Sequence, residues 1–326
     1  MKKLSIIVPT YNRSSCLKDC IKSIIISAKN FQDRVELVVS DDCSTDDTES
    51  VVRSLMQNNS SLKYIKNKKN LYTDIHFTNI IENSSSEYFW MIGDDDKITP
   101  NAIKVVLNEL DKGRNLIYCN YSVWTKDFKH LVNPNGFEVR EDIVFNDHNH
   151  LLEEIAFSMG YLSSVIGLKQ HFLNISVVER SVFSGFTMPQ VFPLYVGQIN
   201  DCKALLLKQT LIMNRSNNNS ESRWNHIFIN GSHTIFNALE KKGFSRKSVT
   251  RAHYKVLLNY VIPHIVELKM HKLVESGLLS YLFKFYKTYH LFYIVCVPIL
   301  LVPLPLLNIF REKVRNIPSV LKKYYL

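Results

Sequence analysis

Four apolar runs in the first hundred residues each end at a turn or a polar cluster, and no other feature of the chain constrains its fold as tightly. Leu4-Ser-Ile-Ile-Val8 stops at Pro9-Thr10-Tyr11-Asn12, and Val35-Glu-Leu-Val-Val39 stops at Ser40-Asp41-Asp42. Leu62–Ile65 is the third run. Tyr88-Phe-Trp-Met-Ile92 is the fourth and leads into Gly93-Asp94-Asp95-Asp96. Short β-branched or aromatic runs bounded by turn residues read as buried strands. The segments between them carry helical spacing. Ser14 or Ser15 caps a first helix to about Ala28, with Leu17, Cys20, Ile21, Ile24 and Ile25 on one face. A second helix runs to about Gln57, a third spans Asp74 to Asn83, and Pro100 introduces a fourth over Ala102 to Leu110. This alternation predicts an α/β fold with a mostly parallel sheet and helices on both faces. Such sheets bind ligands outside the carboxyl ends of their strands. The clusters at Thr10–Asn12, Asp41–Asp42 and Asp94–Asp96 all fall at that edge.

The acid triplet admits two readings by itself. Adjacent carboxylates repel unless solvent or a cation neutralises them. They are either ligands presented to a divalent metal or a solvated turn capping the next helix. Acids ending neighbouring strands at one edge favour the first reading.

The bulk numbers narrow the partners. The chain has 326 residues, 46% of them hydrophobic, and a net charge of +10. Its length suits one large domain or a catalytic domain with an appendage. The basic excess points to an anionic partner: acidic headgroups or phosphorylated substrates. No run of basic residues is interleaved with aromatics in an RNA-binding pattern, so nucleic acid ranks last and no nucleic-acid partner is expected. The six cysteines form no CxxC pair and no zinc spacing, which suits a reduced, cytoplasmic setting. The apolar run Leu4–Val8, broken by Pro9, is too short for a secretory core segment. With no GxxxxGK and no GxGxxG, P-loop and dinucleotide-binding sites lack their phosphate cradle.

Further along, Leu116–Val123 reads as a strand, Lys126–His150 as a loop or short hairpin, and Leu151–Phe172 as mixed. Gln209–Met213 reads as one more strand before the polar segment Asn214–Glu221, and Trp224–Leu282 as mainly helical. A catalytic domain over 1–215 and a helical region over 216–326 follow. Thr288–Phe310 contains no charged residue and is flanked by Lys284, Lys287, Arg311, Lys313 and Arg315. Its length approaches the roughly 20 apolar residues of a bilayer span. Pro298, Pro303 and Pro305 break a straight helix. A broken segment lying in the membrane interface, its basic flanks on anionic headgroups, is the expectation. A buried hairpin is the alternative.

Together, Ser5-Ile-Ile-Val-Pro-Thr-Tyr-Asn-Arg13, Val38-Val-Ser-Asp-Asp-Cys-Ser-Thr-Asp-Asp47 and Trp90-Met-Ile-Gly-Asp-Asp-Asp96 with Pro100 resemble the signature of family 2 glycosyltransferases. The resemblance covers about the first 110 residues. It implies a GT-A fold, a nucleotide-sugar donor and a divalent metal, magnesium or manganese. Gly160-Tyr-Leu-Ser-Ser-Val165, Gly185–Phe192 and the Arg215/Asn217 loop resemble abequosyltransferases and kindred bacterial O-antigen enzymes. Those enzymes move a 3,6-dideoxyhexose or similar sugar onto a lipid-linked (polyprenyl-diphosphate) oligosaccharide at the cytoplasmic face of the inner membrane. Carried over, the resemblance places Pro9, Tyr11 and Asn12 near the base, with Asp41 or Asp42 on base or ribose. Asn70 and Asp74 would line the donor site. Asp95 would be the central metal ligand, with Asp94 or Asp96 as its partner.

Two departures stand out. The family pattern is Asp-x-Asp-Asp, and Gly93 holds its first position; Tyr72 stands where glycine is frequent. Many inverting members also carry a Glu-Asp pair that deprotonates the acceptor, where this chain has Met188-Pro189-Gln190. Asp96, Asp201, Glu179 and His171 remain candidates for the general base. A nucleotide-sugar-binding protein with a degenerate site is the alternative these departures raise.

Overall fold

A computed structural model describes residues 2–183, 185–186, 188–216, 225–274 and 276–309. The chain forms two compact units: residues 1–148 with 158–219, and residues 149–157 with 220–326.

The first unit is built on strands β1 (Leu4–Thr10), β2 (Val35–Asp41), β3 (Leu62–Lys66) and β4 (Tyr88–Met91). Helices α1 (Ser14–Ala28), α2 (Thr48–Met56) and α3 (Tyr72–Asn83) connect them. After β4 come β5 (Lys97–Ile98), α4 (Ala102–Asp111), β6 (Leu116–Trp124), β7 (Leu131–Asn133) and β8 (Ile143–Phe145). Helix α5 (His148–Ile155), which belongs to the second unit from Asn149 onward, precedes β9 (Val165–Leu168), α6 (Lys169–Leu173), α7 (Val177–Ser181), α8 (Val191–Val196) and β10 (Ala204–Arg215). The sheet order is β3-β2-β1-β4-β9-β6-β10-β5, with β7 on β6 and β8 on β10. β1 to β4 are parallel; β9 is antiparallel to both β4 and β6, so β6 and β10 run in the direction of β4.

Strand periodicity sorts the core. Leu4, Ile6, Val8, Leu37 and Val39 join Leu17, Cys20, Ile21 and Ile24 of α1 in one buried cluster, with Ile103, Val106 and Leu107 of α4. Ile7 and Val38 point the other way. With His76 and Ile80 of α3 they line a groove of about 320 Å³. Helix α1 is not capped by Ser14 or Ser15, as its sequence suggested. Arg13 stands at the cap position, and the Ser14 N–H donates instead to the Asp46 carboxylate at 3.0 Å.

In the second unit, α9 (Ser232–Lys242), α10 (Arg246–Val256), α11 (Ile262–Met270) and α12 (Leu278–Tyr286) are followed by α13 (Val297–Leu301) and α14 (Leu304–Ile309). Gly243, at φ 114°, ends α9, and the Ser245 hydroxyl caps α10 by accepting from the Ser248 N–H at 3.1 Å. Glu153 accepts from Ser248 at 2.7 Å and pairs with Arg251. The uncharged C-terminal segment is broken at Val302–Pro303, while Pro298 and Pro305 lie in the first turns of α13 and α14. Phe292, Val295, Cys296, Ile299 and Leu300 are buried, whereas Tyr293, Ile294, Leu301 and Leu306 are exposed. Among the described residues, no helix is long and apolar enough to cross a membrane. Residues 217–224 of the expected polar loop, Phe310 and the basic flank from Arg311 onward lie outside the described residues.

Candidate active site

The carboxyl ends of β1, β2 and β4 meet where the sequence places its polar clusters. Thr10 is the register partner of Asp41, and its hydroxyl donates to Asp94 at 2.8 Å. Pro9 is paired beside Ser40, and Tyr11 stands half-exposed at the rim. Asn12 turns the chain with φ 53°, a left-handed conformation that its short amide tolerates. Its side-chain oxygen accepts from the Thr45 N–H at 2.8 Å, and its own N–H donates to Ser44 at 2.9 Å. The turns after β1 and β2 are thereby locked together. That lock aims Arg13 at the acid triplet.

The three carboxylates do not share one role. Arg13 reaches Asp95 at 2.7 Å and Asp94 at 3.4 Å, so two carboxylates converge on one guanidinium. Asp96 turns away. Its carboxylate accepts from Ser163 at 2.6 Å, Tyr161 at 2.9 Å, Asn214 at 3.1 Å and the Arg215 N–H at 3.3 Å. Burial pushes Asp94 up to about 7 against the opposing Arg13 and Thr10. Burial, with the neighbouring Asp95 charge, pushes Asp96 up to about 6. Arg215 completes the frame. Its Nε donates to the Asp95 carbonyl at 3.0 Å, and its guanidinium lies 4.5 Å from the Phe128 ring.

Gly93 has a packing reason. A Cβ there would come within 3.1 Å of Asp95, 3.3 Å of Asp96 and 3.5 Å of the Ser163 hydroxyl. Ser163 also accepts from the Gly93 N–H at 2.9 Å, and its carbonyl accepts from Trp90 at 2.7 Å. A side chain at this position would crowd the Asp95 and Asp96 carboxylates, which would have to give way by a few tenths of an ångström.

The second cluster is an internal brace. Asp41 is fully buried and accepts from the Ser44 N–H at 2.8 Å and from the Tyr64 hydroxyl. Asp42 accepts from Asn67 at 2.7 Å and the Leu71 N–H at 2.9 Å, holding the loop before α3. In that loop Asn70 accepts from the Tyr72 N–H at 2.7 Å. Asp74 accepts from the Gly185 N–H.

Three general-base candidates lie elsewhere. Asp201 precedes β10, whose Ala204 pairs with Leu116 at the amino end of β6, and its carboxylate meets Lys203 at 2.9 Å. It therefore sits at the opposite edge of the sheet. His171 follows β9 at the amino end of β4, buried against Gly197, and burial pushes its pKa down. Glu179 adjoins Arg180, which pairs with Glu82 in the last turn of α3. Asp96 alone is at the site, and its oxygens already serve four donors. Gln190, in the segment that lacks the family's acids, is buried, and neither amide atom has a hydrogen-bond partner among the described residues. Tyr121 packs edge-on against Tyr161 at 4.7 Å, and the Trp124 indole donates to Ser122 at 2.9 Å.

Sequence reasoning did not assign Arg13, Tyr161 or Ser163 a partner in the triplet, although each lies in a motif it singled out. Their contacts join residues tens of positions apart. Among the described residues no group of three or more ligating side chains gathers as a metal site. Of the two partners expected for Asp95, Asp94 converges with it on Arg13, while Asp96 is engaged by four donors. Asp94 and Asp95, hard oxygen donors already converging on one cation, fit a divalent ion.

Comparison with known proteins agrees with this frame. Residues 5–165 match the family model described as Glycosyl transferase family 2. The abequosyltransferase RfbV of Salmonella typhimurium is 28% identical over 230 residues, covering 67% of this chain and 68% of that protein. The GalNAc(5)-diNAcBac-PP-undecaprenol beta-1,3-glucosyltransferase of Campylobacter jejuni is 35% identical over 121 residues, covering 37% of this chain and 38% of that protein. S. aureus TarS in complex with UDP-GlcNAc superposes with a TM-score of 0.60 at 14% identity, covering 86% of this chain and 78% of that one. Mannosyltransferase PcManGT from Pyrobaculum calidifontis, in complex with GDP-Man and Mn2+, superposes with a TM-score of 0.53 at 14% identity, covering 80% of this chain and 71% of that one. These likenesses establish a shared GT-A fold.

Proposed function

From a chain that carries a family 2 glycosyltransferase domain over residues 5–165, we propose an enzyme that transfers a sugar from a nucleotide-diphosphate donor to a lipid-linked oligosaccharide of a bacterial surface polysaccharide. The observation that carries the reading is the convergence of Asp94 and Asp95 on one cationic position, with Thr10 and Arg13 fixed around it. The names of the relatives support the acceptor class: one acts on an undecaprenyl-diphosphate glycan, and another transfers abequose. A 3,6-dideoxyhexose is accordingly the first donor sugar to test.

In this reading the base and ribose lie between Pro9–Asn12 and the turn held by Asp41 and Asp42, with the segment from Asn70 to Asp74 beside them. Asp94 and Asp95 would hold magnesium or manganese, which when bound neutralises charge on a diphosphate leaving group. Arg13 supplies positive charge at the same place. Asp96 keeps Asn214 and Arg215 against the turn and so fixes its shape. Contact with the membrane through the exposed Tyr293, Ile294, Leu301 and Leu306, at the cytoplasmic face of the inner membrane, would bring the enzyme to its acceptor.

Thermal shift against a panel of nucleotide sugars, CDP-linked dideoxyhexoses included, with and without manganese, tests the donor. A specific ligand raises Tm in proportion to its occupancy. Asp95→Ala should fold normally and lose manganese-dependent stabilisation together with transfer. Full transfer by that variant would remove Asp95 from the site. Donor binding with no turnover on any lipid-linked acceptor would instead favour a binding protein, the reading that the missing acid near Gln190 raises.

A further inference from the structure

We infer, on the basis of the metal-dependent nucleotide-sugar site just proposed, that Arg13 is a binding residue for the donor's diphosphate. Its guanidinium is held on Asp94 and Asp95 until a divalent ion displaces it, so that metal enters the site before the nucleotide sugar.

The grip of Arg13 on the acids is an exchangeable one. One guanidinium nitrogen meets Asp95 at 2.7 Å and the other meets Asp94 at 3.4 Å. The guanidinium is thus spread over two carboxylates rather than closed as a fork on one, the geometry that holds arginine most firmly. The acids are the fixed partners. Their side chains are 6% and 10% exposed, and Asp94 accepts from the Thr10 hydroxyl at 2.8 Å. The Arg13 side chain is 41% exposed. Its main chain is pinned: the Arg13 carbonyl accepts from the Cys16 and Leu17 N–H groups at 3.0 and 3.2 Å, and Asn12 beside it is locked to Thr45. A swing of the side chain needs no backbone movement and leaves the guanidinium at the sheet edge.

Metal and guanidinium cannot hold the same two carboxylates. Magnesium sits about 2.1 Å from its oxygen ligands. The two cations would then lie a few ångströms apart in a site half closed to water, where like charges repel strongly. An ion that binds Asp94 and Asp95 therefore releases Arg13. The acids nearby already have donors of their own. Asp41 accepts from Ser44 and Tyr64, Asp42 from Asn67 and Leu71, Asp46 from Ser14 and Thr48, and Asp96 from four groups. The partner left for the released guanidinium is an anion brought by the ligand, and its planar N–H pairs match phosphate oxygens.

Paired titrations of the full-length chain at pH 8 test the exchange. Manganese alone is followed by electron paramagnetic resonance; CDP, UDP and GDP in saturating manganese are followed by calorimetry. Arg13→Gln should bind manganese about tenfold tighter than wild type, because the ion no longer displaces a charge-assisted contact, and should bind the preferred nucleoside diphosphate about tenfold weaker. The opposite signs separate this role from a structural one, in which loss of Arg13 would loosen the acids and weaken both. Arg13→Lys keeps the charge without the fork and should move both constants in the same directions by less. Its titrations decide the outcome if Arg13→Gln lacks a cooperative thermal transition. Manganese affinity unchanged or lowered in the variants overturns the exchange while leaving the metal site in place. Tighter manganese with unaltered nucleotide binding overturns the diphosphate contact. A wild type that binds no manganese, or binds it no better than Asp95→Ala, overturns the metal reading of the site and the role of Arg13 with it.

Discussion

Tyr72 holds a left-handed backbone, φ 62°, and leaves its side chain 76% exposed. Glycine adopts that conformation freely, whereas a residue with a Cβ bears roughly 1–2 kcal/mol of strain. The departure from the family's glycine, visible in the sequence, thus has a backbone cost visible only in the structure. No packing gain offsets it, which suits a ring kept for contact with a ligand at the sheet edge. Tyr72→Gly should raise stability by up to about 1 kcal/mol, part of the relieved strain being offset by the greater freedom of unfolded glycine. Denaturant unfolding measures this, and calorimetry should show weaker nucleotide-sugar binding in the same variant. A less stable Gly variant would refute the strain argument. Asn12, also left-handed, needs no such explanation, because its amide is used in bracing two turns.

At the scale of an element, the turn after β4 joins one strand to the rest of the site. Ser163 and Tyr161 arrive from a short turn before β9, and Asn214 and Arg215 from the end of β10. The buried acids of this turn predict a pH dependence with a definite sign. Asp94 and Asp96 are raised to about 7 and about 6, so between pH 4 and 7 the folded state holds protons that the unfolded state has released. Their contribution is fully present below about pH 4 and is lost as pH rises through 7. Glu36 behaves oppositely. Burial pushes it up, but hydrogen bonds from Lys63, Ser85 and Ser5 outweigh this and hold it at about 2. Its contribution is therefore present above about pH 4.5 and is lost as pH falls through 2. Without metal, Tm should decline from pH 5 to pH 8 more steeply in wild type than in Asp94→Asn, and manganese at pH 7.5 should reverse the wild-type loss. Parallel Tm profiles for the two proteins would show that Asp94 is not held in its protonated form.

For the whole molecule, charge is divided unevenly. The first unit is close to neutral, while the second carries nine of the ten net positive charges and exposes Tyr293, Ile294, Leu301 and Leu306. Over residues 288–306 of the uncharged segment, six side chains are buried and nine are exposed. Ile294→Ser combined with Leu301→Ser changes only exposed positions, so it should leave Tm unchanged while reducing flotation with anionic vesicles several-fold. Equal flotation of variant and wild type would place any membrane contact elsewhere.

The alternation of strand and helix, the parallel sheet and the edge on which Asp41 and Asp94–Asp96 gather could be read from the chain, because period-two burial and turn chemistry act over a few residues. Gln209–Met213 likewise marked part of β10, whose irregular register past Leu206 hid the rest. What each acid does could not be read in this way. Arg13 and Asp95 lie 82 positions apart, and Asp96 and Arg215 lie 119 apart. Only packing of β1, β4 and β10 into one sheet decided that two carboxylates share a guanidinium while the third anchors the frame. The same holds for Asp201 and His171, whose residue types suited catalysis. Strand direction carries them to the opposite edge, and direction is a property of the folded sheet.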